Sequence, residues 1–213
     1  MKKQLPKGLY AITAENFSNG KDNITIVKRM LEAGIKVLQY RDKYKTKLEK
    51  FKQCEVLRKL TIDFGCFFII NDDIDVSLAV QSDGVHIGQS DLPASETREI
   101  IGRNMIIGVS THSPKEALLA VEHGADYIAV GPIYKTFTKD SVKDPVGLEY
   151  LNFCVKNIKI PKVAIGGIKL SNLLKICKYK PDNICMVTEI TSSNNMELTI
   201  KKAQEIINDY CQN

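Results

Sequence analysis

Eight short runs rich in Ile, Val, Phe and Tyr recur along this chain, each followed by a stretch with apolar residues at helical spacing. The predicted strands are Leu9–Thr13, Lys36–Tyr40, Phe67–Asn71, Gly84–Gly88, Ile106–Ser110, Tyr127–Gly131, Lys162–Gly166 and Cys185–Thr188. Ile24, Val27 and Leu31 show the helical spacing after the first strand. Eight β-α units in 213 residues predict an α/β protein that is a single-domain (β/α)8 TIM barrel over residues 1–213.

A doubly wound open sheet is the alternative to the barrel. It would require a Gly-rich turn after the first strand, and the chain has the segment Ala14, Glu15, Asn16, Phe17 there instead. The stretch from Tyr134 to Asp144 after the sixth strand mixes Lys, Thr and Asp and lacks the Gly and Ser of a linker. In a barrel it would be an active-site loop.

Composition excludes several classes of protein. The 30 Lys and Arg and 25 Asp and Glu are interspersed, so no nucleic-acid partner is expected despite the net charge of +5. No segment reaches the ~20 apolar residues of a membrane span, and none resembles a signal peptide, so we expect a cytoplasmic protein without a membrane partner. The six cysteines form no CxxC pair and are expected to be ordinary thiols.

A barrel of this kind builds its active site from residues just after the carboxyl ends of its strands. After the second predicted strand, Gln39, Arg41 and Lys43 alternate along the chain. If the extended geometry persists, all three side chains point to one side. Two cations and an amide there suit a phosphate or diphosphate, and a solvated strand end is the alternative.

Carboxylates follow the next two strands. Asn71, Asp72 and Asp73 end the third strand, and Asp91 follows the fourth. Carboxylates from two neighbouring strand ends suit Mg²⁺, which prefers one or two of them and completes its shell with water and phosphate. Two alternatives stay open: an Asp that caps the following helix, and a carboxylate pair for glycoside hydrolysis. The second leaves the cations without a role.

Hydroxyls, a lysine and glycines follow the later strands. Ser110 and His112 end the fifth strand. Thr136, Thr138 and Lys139 follow the sixth strand and suit phosphate binding. Gly166 and Gly167 end the seventh, where they would either let a phosphate approach the backbone or serve only close packing. A Ser-His nucleophile is the competing interpretation, but no carboxylate in the local sequence is an obvious partner for His112. A Schiff-base aldolase would need a Lys inside a core strand, and the sixth strand has none.

Motifs in this order resemble the thiamine phosphate synthase family from Tyr10 to about Thr191. The segments that carry the resemblance are Gln39-Tyr40-Arg41-Asp42-Lys43, Ile70-Asn71-Asp72, Asp83-Gly84-Val85-His86-Ile87-Gly88-Gln89, Asp91-Leu92, Ser110-Thr111-His112, Gly131-Pro132-Ile133, Thr136-Phe137-Thr138-Lys139 and Ala164-Ile165-Gly166-Gly167-Ile168. The resemblance implies a Mg²⁺-dependent enzyme that joins 4-amino-2-methylpyrimidin-5-ylmethyl diphosphate to 4-methyl-5-(2-phosphooxyethyl)thiazole. The products would be thiamine phosphate and pyrophosphate, formed by dissociative displacement.

The resemblance also implies residue roles. The catalytic residues would be Arg41, Lys43, Ser110 and Lys139. The pyrimidine diphosphate would be bound by Gln39, Tyr40, Arg41, Asp42, Lys43, Asn71, Ser110 and Lys139. The thiazole phosphate would be bound by Thr136, Phe137, Thr138, Gly167, Val187 and Thr188. Asp72 and Asp91 would hold Mg²⁺. The partners would be small-molecule substrates, and a homodimer is expected of many such barrels.

Two other functions stay open at this point: a thiazole tautomerase, which needs a proton shuttle, and a sensor that binds thiamine phosphates without turnover. We expect the loop from Tyr134 to Asp144 to close over bound substrates and exclude water. The chain departs from the family where Arg is common, since it has Asp73, and where Gly, Ser and Ala are usual, since it has Asn183, Thr188 and Glu189. Glu189 is expected either to repel the thiazole phosphate or to pair with a Lys.

Overall fold

Eight parallel strands close into a barrel in chain order in the computed structural model, which describes residues 3–138 and 144–211. The strands are β1 (Gly8–Ile12), β2 (Val37–Tyr40), β3 (Phe67–Asn71), β4 (Gly84–Ile87), β5 (Ile106–Thr111), β6 (Tyr127–Val130), β7 (Lys162–Ala164) and β8 (Asn183–Met186). The last strand pairs with the first through Tyr10 and Cys185, which closes the ring. The predicted TIM barrel is confirmed, and the open sheet is excluded.

The predicted strand bounds hold within two residues. The largest difference is at β8, which starts at Asn183 and ends at Met186, so Val187 and Thr188 lie outside the strand. Asn183 carries no β-branched or aromatic signal, yet it pairs in register with Gly8 and Val163 on the flanking strands. Tertiary pairing therefore extends the strand beyond what local propensity indicates.

Helices alternate with the strands on the outside of the barrel. They are α1 (Asn23–Glu32), α2 (Lys47–Asp63), α3 (Ile74–Ala79), α4 (Ala94–Ile101), α5 (Pro114–Glu122), α6 (Gly147–Asn157), α7 (Leu170–Cys177), α8 (Thr188–Thr191) and α9 (Met196–Tyr210). Side chains fix where they begin: Asp22 accepts a hydrogen bond from the backbone N of Thr25, and Thr46 forms a reciprocal pair with Glu49. None of the described helices is both long enough and apolar enough to span a bilayer.

Two apolar layers form the core because successive strand residues point to opposite faces. The inner layer fills the barrel and includes Tyr10, Val37, Ile69 and Tyr127. The outer layer lies between the strands and the helices. Polar side chains interrupt the inner layer, among them Gln39, which is buried toward the carboxyl ends of the strands. We call that end the top of the barrel and the opposite end the bottom.

Carboxylates close the bottom of the barrel in a repeated pattern. Asp83, Asp126 and Asp182 directly precede β4, β6 and β8. Each accepts a hydrogen bond from a backbone N of the preceding strand, at 2.8 Å from Phe68, 2.8 Å from Ile107 and 3.0 Å from Lys162. Each also pairs with a cation, namely Arg58, Arg98 or Lys162. These three residues, the bottom carboxylates, join neighbouring strands through backbone and cation contacts.

Candidate active site

A cavity of about 440 Å³ opens at the top of the barrel. Nine of the predicted site residues line it: Gln39, Arg41, Asn71, Ser110, Thr136, Thr138, Gly167, Val187 and Thr188. Its size lies within the range of small-molecule sites, roughly 300–1,000 Å³. The barrel thus brings together residues that are separated by almost 150 positions in sequence, since each follows a different strand end.

Arg41 faces this cavity because Thr13 holds its backbone. The Thr13 hydroxyl accepts a hydrogen bond from the Arg41 backbone N at 2.8 Å and donates one to the Arg41 carbonyl at 3.0 Å. Thr13 follows β1 directly and is 1% exposed. The sequence prediction missed Thr13. The feature that could have revealed it is a hydroxyl side chain at the carboxyl end of the first predicted strand.

Asp72 and Lys43 form an ion pair beside the cavity. The backbone N of Asp72 donates to the His86 carbonyl at 2.9 Å, so pairing of β3 with β4 continues past the strand end. Asp72 adopts a left-handed backbone conformation with φ of 60°. Asp and Asn tolerate this conformation better than most residues do. The third predicted strand end therefore delivers its carboxylate toward the cation of the second.

Asp72 and Asp91 interact directly, as their positions after neighbouring strands predicted. Burial raises the pKa of Asp72, the Asp91 carboxylate raises it further, and Lys43 opposes both effects. Asp91 accepts a hydrogen bond from the Gly88 backbone N at 2.7 Å, which fixes its position. Two carboxylates held this close are destabilised by mutual repulsion.

This donor set fits Mg²⁺. Among residues 3–138 and 144–211, no group of three or more His, Cys, Asp or Glu side chains could hold a metal. Mg²⁺ does not require one, because it takes one or two carboxylates and fills its remaining positions with water and substrate phosphate. A cation bound between Asp72 and Asp91 would also relieve the repulsion that raises the pKa of Asp72.

Asp73, which stands where the family commonly has Arg, points away from the cavity. Its carboxylate pairs with Lys47 at 2.5 Å and Lys50 at 2.8 Å, both on α2. Asp73 occupies the cap position of α3, yet its side chain accepts no hydrogen bond from that helix. The alternative that it caps the helix is therefore wrong. Two lysines neutralise the charge that replaces the family's arginine.

Tyr40 and Asp42 do not line the cavity, contrary to their expected place in the diphosphate site. Tyr40 alternates with Gln39 and Arg41, so it faces outward, where its hydroxyl donates to Gln53 at 2.9 Å. Asp42 accepts hydrogen bonds from the backbone N atoms of Tyr44 and Lys45, each at 2.9 Å. Both residues shape the loop between β2 and α2.

The hydroxyls and glycines predicted for the thiazole phosphate lie close together. The Thr136 and Thr138 hydroxyls are 3.1 Å apart. The Tyr134 backbone N donates to the Gly166 carbonyl at 3.0 Å, which joins the loop after β6 to the loop after β7. Gly167 has φ of 63°, and a Cβ there would lie 2.6 Å from the Lys135 carbonyl. Only glycine fits this approach.

Four other predicted residues have distinct positions. Val187 and Thr188 line the cavity at the start of α8. Phe137 is 75% exposed and borders a small recess beside the cavity. Lys139 lies outside the described residues, as does the 139–143 part of the loop expected to close. The lid prediction therefore stays a prediction.

The departures around β8 also have defined positions. Glu189 accepts a hydrogen bond from the Leu170 backbone N at 3.1 Å, at the first residue of α7. Among the described residues no lysine pairs with it, so the expected Glu189–Lys pair is not formed. Asn183 donates to the Pro6 carbonyl at 2.7 Å at the bottom of the barrel, far along β8 from the cavity.

A chain of hydrogen bonds crosses the floor of the cavity, and sequence reasoning missed most of it. Gln39 Nε2 donates to the Tyr10 hydroxyl at 2.8 Å, which lies 3.0 Å from the Tyr127 hydroxyl. Tyr127 contacts His86 Nδ1 at 2.9 Å, and His86 Nε2 contacts Ser110 Oγ at 2.9 Å. We call these five residues the buried chain.

The sequence feature that could have indicated the position of Tyr127 is a glycine on the neighbouring strand. Gly108 pairs in register with Tyr127, and a Cβ on Gly108 would lie 1.9 Å from a carbon of the Tyr127 ring. A glycine inside a strand marks the close approach of another group, which here is the phenol ring.

His112 does have a local carboxylate partner, so that expectation was wrong. Its Nδ1 lies 2.9 Å from Glu116 Oε2, and the same oxygen accepts from the His112 backbone N at 2.8 Å. The pair forms because Glu116 lies in the first turn of α5, four residues after His112. Ser110 contacts His86 instead of His112, so the hypothesised Ser110–His112 nucleophile pair is not formed.

Comparison with known proteins gives a consistent result. A profile of the family described as thiamine monophosphate synthase matches residues 9–190. Thiamine-phosphate synthase of Caldicellulosiruptor saccharolyticus is 47% identical over 95% of this chain and 91% of its own length. That of Pelotomaculum thermopropionicum is 48% identical over 95% and 93%. The solved thiamine phosphate pyrophosphorylase from Pyrococcus furiosus is 33% identical, with a TM-score of 0.88 over 95% of this chain and 96% of that one.

Proposed function

Because the chain belongs to the thiamine monophosphate synthase family, we infer that it is a transferase of thiamine biosynthesis. It joins 4-amino-2-methylpyrimidin-5-ylmethyl diphosphate to 4-methyl-5-(2-phosphooxyethyl)thiazole and releases pyrophosphate. One observation carries this proposal. Arg41 and the Thr136–Thr138–Gly167 group line one cavity, and the Asp72–Asp91 pair directly follows the cavity-lining residues Asn71 and Ser90.

The cationic side would take the diphosphate. Arg41, held by Thr13, lines the cavity. Lys43 does not line it but borders the small recess beside it and pairs with Asp72. Asn71 and Gln39 would complete the pocket, and Lys139 would supply a third cation from outside the described residues. Cations aimed at the leaving group stabilise the negative charge that develops there, typically by several kcal/mol.

Asp72 and Asp91 would hold Mg²⁺. When bound, Mg²⁺ supplies further stabilisation of the pyrophosphate charge. In its absence Lys43 is the only cation that the described residues pair with Asp72.

The Thr–Gly side would take the thiazole phosphate. Thr136 and Thr138 offer hydroxyls, and Gly167 offers a backbone that a ligand can approach closely. Val187 and Thr188 close this side of the cavity at the start of α8. The Glu189 carboxylate accepts from the Leu170 backbone N at the start of α7, and the positive end of that helix would offset part of its repulsion of the phosphate.

The reaction depends on the departure of pyrophosphate and on the positioning of the two substrates more than on acid–base chemistry. The bond between the pyrimidine CH2 and the diphosphate oxygen breaks, and its electron pair leaves with pyrophosphate. The thiazole nitrogen then uses its own lone pair to form the new bond to that carbon. No base is needed to activate the nitrogen. The loop from Tyr134 to Asp144 would exclude water from the pyrimidine cation.

We also propose a cytoplasmic location, small-molecule partners and a homodimer. The six cysteines are free thiols, which suits a reducing compartment. The substrates implied by the family are small phosphorylated heterocycles that suit a cavity of about 440 Å³. The homodimer is an expectation from the fold class.

Release of pyrophosphate by purified protein tests the proposed function. The assay supplies Mg²⁺ and both substrates and omits each in turn, and thiamine phosphate is quantified alongside. We expect release that needs all three components and matches thiamine phosphate formation. Release without the thiazole phosphate would indicate a diphosphatase, and no release would favour the tautomerase or the sensor. In a tautomerase or a sensor, Lys139→Ala should change the activity or the binding little. In a synthase it should abolish turnover.

A further inference from the structure

The buried chain has a defined hydrogen-bond direction. An amide nitrogen can only donate, so the Tyr10 hydroxyl accepts from Gln39 Nε2. The buried Tyr10 proton then has the Tyr127 oxygen as its acceptor, at 3.0 Å. If Tyr127 instead donated back to Tyr10, the proton of Tyr10, which is 1% exposed, would lose its acceptor within the buried chain. Such a buried orphan costs roughly 1–3 kcal/mol.

The same direction continues to the opposite wall. In this direction Tyr127 donates to His86 Nδ1, and a neutral imidazole then carries its proton on Nε2. His86 Nε2 then donates to Ser110 Oγ at 2.9 Å. The Ser110 oxygen is occupied as an acceptor, so its own proton is directed to the cavity that Ser110 lines. One directed chain thus joins β2 to β5 through the barrel floor.

Both phenols keep their protons. Burial raises the pKa of Tyr10 and of Tyr127 well above the ordinary value for tyrosine. Each therefore remains a neutral hydroxyl with one proton to donate across the physiological range. The direction of the chain cannot be lost by ionisation of either phenol.

The chain determines what the two walls of the cavity offer to a ligand. Ser110 offers a donor, whereas Gln39 offers its Oε1 as an acceptor and its second N–H as a donor. Gln39 is 2% exposed and lines the cavity, and no described residue bonds these remaining groups. A 4-aminopyrimidine presents the complementary pattern, with an exocyclic N–H donor and ring nitrogens as acceptors. A 4-oxopyrimidine presents an acceptor where the amino group donates.

We propose that Tyr127 is a positioning residue that fixes this direction and thereby selects a 4-aminopyrimidine over its 4-oxo counterpart. The inference deepens the proposed function and rests on it, because it assumes that the pyrimidine lies between Gln39 and Ser110. Tyr127 suits this role because it occupies the centre of the chain. Its ring is seated over Gly108, so its hydroxyl cannot move far.

Tyr127→Phe tests the proposal, because it keeps the ring over Gly108 and removes only the central hydroxyl. Gln39–Tyr10 and His86–Ser110 become separate pairs, and each pair can then reverse its hydrogen bonds to suit either ligand. The probes are the monophosphates of the 4-amino and 4-oxo pyrimidines, which cannot release pyrophosphate. Their inhibition constants are measured against the pyrimidine diphosphate.

We expect wild type to bind the 4-amino probe more tightly than the 4-oxo probe. In Tyr127→Phe the ratio of the two inhibition constants should fall by about tenfold or more, because the hydrogen bonds of Gln39 and Ser110 no longer distinguish the two probes. The KM for the thiazole phosphate should stay within about twofold, because its site is on the other side of the cavity. A structural defect alone would weaken both probes equally. An unchanged ratio in a folded variant overturns the proposal, even if kcat falls.

Tyr150→Phe is the matched control. The Tyr150 hydroxyl is also buried and bonded, to the Thr111 hydroxyl at 2.8 Å and the Ser113 carbonyl at 2.9 Å, but on the outside of the barrel. This variant should lose thermal stability and keep the wild-type ratio. If Tyr127→Phe does not fold, Tyr10→Phe breaks the chain one link earlier and should lower the same ratio. An unchanged ratio there overturns the proposal.

The two proposals fail in different ways. A wild-type protein that makes thiamine phosphate while Tyr127→Phe keeps the full preference rejects the role of the buried chain alone. A wild-type protein that makes no thiamine phosphate rejects the proposed function, and the assay shows this before any variant is made.

Discussion

Aspartates at the two ends of the barrel have opposite electrostatic behaviour although both are partly buried. At the bottom, burial opposes ionisation of Asp83, but hydrogen bonds from Lys3, the Phe68 backbone N and Arg58 outweigh it and lower the pKa. The pKa of Asp182 is lowered in the same way by the backbone N and side chain of Lys162. At the top, burial and Asp91 raise the pKa of Asp72.

The difference lies in the groups that surround each carboxylate. A bottom carboxylate accepts from a backbone N–H and from a cation, so its charge stabilises the fold. Asp72 faces a second carboxylate, and Lys43 compensates for it only in part. The top therefore retains an unfavourable negative charge that a bound cation would offset. Sites that violate the rules of stability in this way are often functional.

Asp72→Asn should have the largest effect on activity. The amide removes the charge that would hold Mg²⁺, and Asn tolerates the left-handed backbone of this position. We expect kcat/KM for thiamine phosphate formation to fall by about 10²–10³-fold. The free energy of unfolding without Mg²⁺ should not fall by more than about 1 kcal/mol, because repulsion with Asp91 is removed along with the Lys43 pair. Rates are measured by pyrophosphate release and stability by urea unfolding.

A result with full activity in Asp72→Asn would show that the top carboxylates are not the magnesium site. A large loss of stability would show that Asp72 resembles the bottom carboxylates, and the contrast between the two ends would then be wrong.

Asp83→Asn should have the opposite profile. The amide keeps one acceptor oxygen, but Arg58 and Lys3 lose the charge with which they pair, and an NH2 donor replaces the second acceptor oxygen beside them. We therefore expect a loss of about 2–4 kcal/mol in the free energy of unfolding. The kcat of the folded protein at 25 °C should be unchanged, since Asp83 lies at the far end of the barrel from the cavity. Asp63→Asn, on the surface of α2, is the control and should lose less than about 0.5 kcal/mol.

The same contrast explains how far the sequence could predict this molecule. The eight short apolar runs predicted the barrel because a parallel strand buried on both faces shows a nearly continuous run of apolar residues in its own sequence. The top residues Arg41 and Thr136 were found because they follow strand ends, and Ser110 was found because it lies near the end of β5. Tyr40 was misplaced because its family motif was read without the alternation of strand faces, which turns it outward to Gln53.

The remaining features depend on distances that no local pattern contains. Tyr127 reads in sequence as an ordinary core residue, and only its register with Gly108 and its contacts with Tyr10 and His86 reveal the buried chain. The partners of Asp83 lie 25 and 80 positions away, at Arg58 and Lys3. The contact of His112 with Glu116 could have been predicted, because Glu116 lies four residues later in a predicted helix start.

The pH dependence of stability should separate the two ends further. The folded pKa of Asp83 lies below its unfolded value of about 3.9, so the unfolded state binds protons first as pH falls. The stabilisation is complete above about pH 5 and is lost as pH falls through the folded pKa. The stability difference between wild type and Asp83→Asn should therefore be constant near neutral pH and shrink below about pH 4. Urea unfolding across this range checks the prediction, and a difference that widens toward acid would contradict it.

Asp73 tests whether position or partners decide the behaviour of a carboxylate. It lies at the top of the barrel, but like the bottom carboxylates it pairs with cations. Asp73→Asn should cost about 1 kcal/mol, since its carboxylate is 12% exposed between Lys47 and the equally buried Lys50. Asp75→Asn is the matched control: its carboxylate also pairs with Lys47 but is 66% exposed, so the loss should be near zero. The KM for the pyrimidine diphosphate should stay within about twofold in both variants, because Asp73 points to α2.

A tenfold fall in that KM in Asp73→Asn alone would mean that the Asp73 charge repels the diphosphate despite its two lysines. The sign of the charge would then matter at this position more than the direction of the side chain. An unchanged KM together with the stability loss would show that the lysines of α2 have converted a family binding position into a structural one. The number of donors around a carboxylate, and not the end of the barrel at which it lies, would then decide whether it stabilises the fold.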